Sequence, residues 1–148
     1  MTSPPSFTVR AATDNDGQFL WDLNESVMRP YIEVSAVWDR GWQEKQFRDR
    51  FAANRWRVII SSEGADIGGY AVDRRSEMNV LTDIYLLPQY QRQGIGGFIV
   101  AGLIAEAAQN GRRLVLLVHK DNPNARKLYE RLEMRVVGEM GDRFIMIS

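Results

Sequence analysis

The chain of 148 residues contains no cysteine and a single histidine, His119. The absence of cysteine excludes disulfides, thiolate metal sites and any reaction that passes through a cysteine-bound intermediate. With only one histidine, no structural zinc site and no metal are expected. Acidic and basic residues balance at 19 each, so no overall field attracts nucleic acid. An anionic ligand would have to be held by local geometry.

Long hydrophobic runs are missing as well. The longest apolar or glycine run, GGFIVAGLIA at 96–105, is too short to span a bilayer. The start, MTSPPSFTVR, lacks the basic residues and apolar core of a signal peptide. We therefore predict a cytoplasmic protein with no membrane and no nucleic-acid partner. The length and ordinary composition indicate one domain over 1–148, with residues 1–6 disordered.

Periodicity predicts an α/β (α+β) fold. Helical spacing predicts a first helix up to about Met28, with Pro30 ending or bending it. Further helices are predicted from Trp42 to Ala53, over 94–110 and over 122–133. Alternating or apolar runs predict strands over 7–12, 56–61, 67–75, 78–87 and 113–119, and a closing hairpin made of RVVGE and RFIMIS. The strand–helix–strand unit at 78–119 should form a parallel crossover, which makes the sheet mixed.

Two apolar patterns give expectations about burial. In the helix over 94–110, one face carries four apolar residues, Ile95, Ile99, Leu103 and Ala107. Three further apolar residues should widen this face, namely Phe98, Val100 and Ile104. The run RLVLLVH at 113–119 is apolar throughout its centre, as expected of a strand covered on both faces.

Aromatic residues are concentrated in the first third of the chain. Trp38, Trp42, Phe47 and Phe51 follow one another at near-helical spacing, and such residues usually form core. The alternative is a substrate-side wall, with Tyr31, Trp38 and Trp42 favouring an apolar or cationic amine through stacking and cation–π contact.

The stretch QYQRQGIGG at 89–97 stands between a predicted strand and a predicted helix. It does not match a nucleotide-triphosphate P-loop, because Gly96 is followed by Gly97 and Phe98 rather than by Lys and Ser or Thr. It also fails the dinucleotide fingerprint, since Ile99 stands where a third small residue is required. The glycines could simply allow tight packing.

Two sequence motifs favour a ligand-binding role for these glycines over simple tight packing. They are Q-x-x-G-x-G at 91–96 and N-x-x-A-x-x-x-Y at 122–129, separated by one strand. This pair resembles the coenzyme A-binding signature of the GCN5-related N-acetyltransferase (GNAT) superfamily. The resemblance covers 56–148 well, and the preceding part agrees only in its order of elements. It implies a mixed, mostly antiparallel central sheet with a splayed parallel strand pair, flanked by about four helices.

The resemblance implies acetyl-CoA as co-substrate. Its pyrophosphate would meet the free N–H groups and positive dipole end of the helix that begins near Gly94, where glycines let phosphate oxygens approach the backbone. Arg92 would either add charge or be an ordinary surface arginine, and Asn122 would cap the next helix or also touch pantetheine. The coenzyme-binding residues implied in this way are Leu86 and Leu87 through their main chain, Gln91, Arg92, Gln93, Gly94, Ile95, Gly96, Gly97 and Asn122.

The reaction implied is direct attack of a primary amine on the acetyl thioester, without an acyl-enzyme. Tyr129 matches the family's general-acid tyrosine, although it could also be a packed helix residue. Against a thiol pKa of about 8.5, a tyrosine pKa of about 10 makes full proton transfer uphill by roughly 2 kcal/mol. The general base stays open between water and five candidate residues, Glu33, Asp39, Glu77, Asp83 and His119.

Two departures from the family pattern carry expectations. Leu117 stands where ribosomal-protein N-terminal acetyltransferases carry a catalytic glutamate, which argues against that subfamily. Glu133, within RLEM, replaces the usual glycine and should change the turn after the last helix. We predict an N-acetyltransferase acting on an amine of a small molecule or peptide, with a non-catalytic acyl-CoA-binding sensor or scaffold as the alternative. A larger acyl group or a non-amine acceptor is not excluded, and the resemblance also allows a homodimer.

Overall fold

The computed structural model describes residues 5–148, so most of the segment predicted to be disordered lies outside the described residues. The predicted order of elements is confirmed. The strands are β1 (Phe7–Ala11), β2 (Trp56–Ser61), β3 (Asp66–Arg74), β4 (Met78–Leu86), β5 (Arg113–His119), β6 (Arg135–Met140) and β7 (Arg143–Ile147). The α-helices are α1 (Gly17–Ile32), α2 (Arg40–Arg50), α3 (Ile95–Gln109) and α4 (Pro123–Arg131), with short 3₁₀ turns at Asp14–Asp16, Ala53–Arg55 and Pro88–Tyr90.

The strands form one mixed sheet in the order β1-β2-β3-β4-β5-β7-β6. The pairs β1–β2, β2–β3, β5–β7 and β6–β7 are antiparallel, whereas β4 and β5 are parallel. The parallel ladder joins Met78–Leu81 to Arg113–Leu116, although both strands continue beyond it. The predicted mixed sheet with a splayed parallel pair is therefore confirmed.

The chain divides into two compact units. The aromatic unit consists of Ser6–Ala71 and Ile84–Tyr90, and the glycine-loop unit contains Val72–Asp83 and Gln91–Ser148. Strands β3 and β4 each contribute residues to both units. The single-domain organisation expected from the sequence stays a prediction.

The core of the aromatic unit is built from the tryptophans and phenylalanines of the first third of the chain. Trp38 and Phe47 are buried, and their rings lie 6.3 Å and 5.8 Å from the ring of Trp21. Phe51 is partly buried against the same cluster. The core interpretation is confirmed for these residues and is wrong for Trp42, whose side chain is 56% exposed.

The first two helices depart from their predicted bounds. Helix α1 runs through Pro30 to Ile32, because a proline in the last turn removes only one hydrogen bond. The N–H of Glu33 still donates to the Arg29 carbonyl at 3.0 Å. Helix α2 begins earlier than predicted, since the Asp39 carboxylate caps it by accepting the N–H of Trp42 at 3.0 Å.

In the glycine-loop unit, α3 and β5 bury one face each. The four positions expected on the buried face of α3 are confirmed, namely Ile95, Ile99, Leu103 and Ala107. Phe98 was expected to widen that face and instead has a 55% exposed side chain. On β5, Leu114, Leu116 and Val118 are buried, whereas Leu117 is 38% exposed. The expectation that β5 is covered on both faces is therefore wrong.

The outer edge of the sheet carries an irregularity. Strand β6 is the last in the order, and its register with β7 shifts between Val136 and Gly138. Val137, at the shift, is exposed. This is the geometry of a β-bulge, in which an extra residue interrupts the ladder and bends the strand.

Candidate active site

The glycine motif forms the N-terminus of α3. Gly94 is the N-cap residue and adopts a left-handed conformation with φ of 86°. The N–H of Phe98 donates to the Gly94 carbonyl at 3.0 Å. The N–H groups of Ile95, Gly96 and Gly97 therefore form the open first turn of the helix, which has no acceptor within the helix.

The three glycines at the start of α3, Gly94, Gly96 and Gly97, serve different purposes. A Cβ atom added to Gly94 or Gly96 would meet no other atom within 4 Å. A Cβ at Gly97 would stand 3.2 Å from Cδ1 of Leu128 in α4. The packing interpretation therefore applies to Gly97, whereas Gly94 and Gly96 keep an open surface beside free N–H groups. Those two residues fit an anionic group, because added side-chain atoms would fill the space it needs.

Arg92, in the loop before Gly94, has an unusual backbone. It is exposed and adopts a φ of 63°, one of two positive values among the described non-glycine residues. A left-handed conformation costs an ordinary residue about 1 kcal/mol or more. The neighbouring Gln91 and Gln93 are exposed too.

The end of β4 contains the two leucines expected to offer main-chain groups. Leu86 and Leu87 are half-buried. The N–H of Leu87 donates to the Ile67 carbonyl at 2.9 Å, and the Leu87 carbonyl accepts the N–H of Tyr90 at 2.9 Å. The main chain of Leu87 is thus already used by the fold.

Tyr129 lies on α4 and is 8% exposed. Burial, which disfavours the phenolate, raises the pKa of Tyr129 to about 12. Within residues 5–148 its hydroxyl has no hydrogen-bond partner. Near neutral pH the side chain is therefore a protonated hydrogen-bond donor.

Asn122 caps the same helix. Its side-chain oxygen accepts the N–H of Ala125 at 3.2 Å, and Pro123 follows at the first helical position. Its own N–H donates to the His119 carbonyl at 2.9 Å. The cap interpretation is confirmed, and it ties the start of α4 to the end of β5.

Comparison with known proteins identifies the family that has this geometry. The family model described as Acetyltransferase (GNAT) family matches residues 20–134. The chain belongs to the GNAT acetyltransferase family. It is an acetyl-CoA-dependent N-acetyltransferase.

Solved structures agree in fold with this GNAT acetyltransferase. The PaiA N-acetyltransferase of Thermoplasma acidophilum, in complex with coenzyme A, gives a TM-score of 0.76 at 16% identity, with 97% of this chain and 98% of that chain covered. The spermidine N-acetyltransferase of Vibrio cholerae, in complex with coenzyme A and spermine, gives 0.67 at 18% identity, covering 97% and 95%. A search of curated protein sequences gives no significant match.

The five candidate bases of this GNAT acetyltransferase differ in their surroundings. Three make contacts that hold the fold together. Glu33 pairs with Arg29 at 2.9 Å, Asp39 caps α2, and Nε2 of His119 lies 2.8 Å from the Asp142 carboxylate. His119 is buried, and the N–H of the next residue, Lys120, donates to the Asp142 carbonyl at 2.9 Å. That hydrogen bond joins the end of β5 to the turn between β6 and β7.

The remaining two candidates lie on or beside β4. Glu77 is exposed in the turn before that strand. It is separated from Leu86 by the whole of β4, nine residues or about 30 Å of extended chain. Asp83 is buried within β4. Position along the strand therefore favours Asp83 over Glu77 for any role near the end of β4.

The two departures from the family pattern also have a structural outcome. Leu117 lies one residue past Leu116, where the parallel ladder ends, and is partly exposed. Glu133 follows α4 with a φ of 68°. This is the left-handed region that favours glycine, and the expected change of turn stays a prediction.

Two further features concern the described residues, 5–148. None of the helices described there is long and apolar enough to cross a bilayer. The same residues contain no group of three or more His, Asp or Glu side chains placed to hold a metal ion.

Proposed function

We propose that this acetyltransferase transfers the acetyl group directly to a primary amine of a small molecule or peptide, with the pyrophosphate of coenzyme A at the first turn of α3. The observation that carries this proposal is the open turn at Gly94 and Gly96. Its N–H groups lack helical acceptors, and the positive end of the helix dipole favours an anion there. When bound, acetyl-CoA supplies the activated acyl group.

The flanking polar residues complete the proposed coenzyme site. The guanidinium of Arg92 adds positive charge two residues before Gly94, and its strained backbone supports a functional role. Gln91 and Gln93 contribute to the same loop. Asn122 orders the start of α4. Since the cap uses only its side-chain oxygen, Asn122 contacts the coenzyme through its side-chain NH₂ group.

Tyr129 is proposed to act on the leaving thiolate. With a pKa of about 12, complete proton transfer to a thiolate of pKa about 8.5 is uphill by roughly 5 kcal/mol. A hydrogen bond that strengthens as negative charge develops on sulfur stabilises the transition state without that transfer. Tyr129→Phe should accordingly lower kcat more than it changes KM.

The acceptor amine is proposed on chemical grounds. Trp42 is the tryptophan exposed by the fold, and its ring could hold a cationic amine by cation–π contact. One structural neighbour is a spermidine acetyltransferase bound to spermine, so polyamines belong in the amine screen with amino acids and short peptides. The cytoplasmic location and a homodimer stay predictions.

The first experiment is calorimetric titration of acetyl-CoA into wild type, Gly96→Trp and Gly102→Trp. Gly102 lies on α3 with open space around it, so it controls for the general effect of an indole on this helix. We expect binding to be lost in Gly96→Trp and kept in Gly102→Trp. Equal binding by all three proteins would contradict the coenzyme site proposed here.

A second experiment measures thiol release with the amine panel. Turnover with a primary amine supports the proposed reaction. Tight acetyl-CoA binding with no turnover on any amine would favour the sensor or scaffold alternative.

A further inference from the structure

Glu106 is the one charged residue of α3 and lies in the last turn of that helix. A carboxylate at a helix C-terminus is unfavourable in itself, because the negative end of the helix dipole lies there. The side chain is 37% exposed, and a hydrogen bond from Arg74 lowers the pKa of Glu106. A partner outside α3 therefore keeps this carboxylate charged.

That partner, Arg74, is the last residue of β3. Its guanidinium donates from Nε to Oε2 of Glu106 at 2.8 Å and from Nη2 to Oε1 at 2.9 Å. Two parallel hydrogen bonds between planar groups fix direction as well as distance. The side-chain nitrogen of Asn79, a residue of β4 that is 1% exposed, lies 3.4 Å from the same Oε2. Glu106 thus joins the last turn of α3 to two strands.

The remaining contacts of α3 are of a different kind. Its buried side chains are all apolar, and Gly97 lies close to Leu128. Apolar burial is non-directional, so it constrains the rotation of a helix less than a pair of directed hydrogen bonds does. Gly96 and Glu106 are ten residues apart on one helix, about 15 Å. A rotation or shift at the last turn is therefore carried to the first turn.

We propose that Glu106 is a positioning residue for coenzyme A. Through Arg74 and Asn79 it sets the rotation and axial position of α3, and with them the direction of the open N–H groups at Gly96 and Gly97. A hydrogen bond to an oxygen acceptor needs a separation of about 2.7–3.2 Å, so a small displacement of the helix weakens it. The inference rests on the proposed function, because it takes the pyrophosphate to lie at the first turn of α3.

The test titrates coenzyme A into wild type, Glu106→Ala, Arg74→Ala and the double variant. Removing Glu106 makes the protein more positive, so long-range attraction alone would tighten the binding of an anionic coenzyme. Positioning predicts the opposite sign. We expect both single variants to bind about three- to tenfold more weakly, as when a hydrogen bond to a charged group is impaired. The double variant should bind no more weakly than either, because both substitutions break the same pair.

The matched control is Arg75→Ala. Arg75 is the next residue in the chain and pairs with Asp73 at 2.9 Å, so it removes the same charge without touching the contact with Glu106. Its affinity for coenzyme A should equal that of wild type. Urea unfolding of every variant identifies a merely structural role, since a modest loss of stability does not change the affinity of a protein that stays folded.

The outcomes separate this inference from the proposed function. If Gly96→Trp loses binding while Glu106→Ala binds coenzyme A as well as wild type or more tightly, the coenzyme site stands and the positioning role is wrong. Equal weakening in Arg74→Ala and Arg75→Ala would also overturn the inference, because the effect would then come from charge alone. If wild type does not bind coenzyme A, the coenzyme site and the positioning role fall together.

Discussion

Cδ1 of Leu128 lies 3.2 Å from the place where a Cβ of Gly97 would stand, whereas a Cβ of Gly96 would meet nothing within 4 Å. The two adjacent glycines at the start of α3 are therefore required for different reasons. Gly97 keeps α3 close to α4, the helix that carries Tyr129. Gly96 keeps space for a ligand.

We expect Gly97→Val to destabilise the protein by about 1–3 kcal/mol, the usual cost of overpacking. The branched side chain must displace Leu128, and no ligand is needed for this effect. Urea unfolding of Gly97→Val, Leu128→Ala and the double variant measures the coupling between the two positions. Strictly additive effects would show that Leu128 is not the group that Gly97 accommodates.

Gly96→Ala should separate stability from binding. The methyl group enters open space, and alanine is the better helix former, so the free energy of unfolding should stay the same or rise by up to about 1 kcal/mol. Coenzyme A binding should nevertheless weaken, because the methyl group occupies part of the phosphate site. The same substitution at Gly102 is the control, with a similar effect on unfolding and unchanged affinity. Unchanged affinity in Gly96→Ala would argue against phosphate contact there.

Glu133→Gly should stabilise the protein by about 0.5–1 kcal/mol. The left-handed conformation of Glu133 (φ 68°) is unfavourable for a residue with a Cβ, although glycine loses more entropy on folding and offsets part of the gain. Thermal unfolding of wild type, Glu133→Gly and Glu133→Ala makes the comparison. Alanine keeps the strain, so an equal gain in both variants would assign the effect to the lost charge instead.

Tyr129 should make stability depend on alkaline pH. Its pKa is about 12 in the folded protein and about 10 when unfolded. The folded state holds the proton of Tyr129 more tightly than the unfolded state does. The stabilisation that this proton provides is therefore complete below pH 10 and is lost as the pH rises toward 12. Linkage gives a loss on the order of 1 kcal/mol by pH 11. Unfolding free energies of wild type and Tyr129→Phe at pH 8 and pH 11 isolate it, since the phenylalanine variant should lack this part of the pH dependence.

Local sequence patterns predicted those features of the fold that depend on residues close together in the chain. The order of strands and helices followed from periodicity, and Asn122 followed by Pro123 marked the start of α4 within one residue. The motif at 91–96 placed the open helix N-terminus correctly, because a glycine-rich strand-to-helix turn is a local property. The position of Tyr129 on the next helix came from the second motif rather than from periodicity.

Burial on the edge of an apolar face could not be predicted in the same way. Phe98 follows the helical spacing only loosely, about 100° from Ile99 around the helix, and which neighbours cover that flank depends on tertiary packing. Leu117 was predicted to be buried because RLVLLVH is apolar, but burial on both sides needs a layer on each face. The left-handed Arg92 has no sequence signal, since glycine or asparagine is what normally marks that conformation.

The bulge at Val136–Gly138 has a consequence for behaviour in concentrated solution. An outermost strand presents unpaired main-chain groups that can recruit another molecule, and an interrupted, bent strand is a poor template for such pairing. Edge-to-edge pairing of two sheets through β6 is therefore disfavoured. A homodimer of this acetyltransferase would be expected to form through side-chain packing on another surface rather than by extending the sheet.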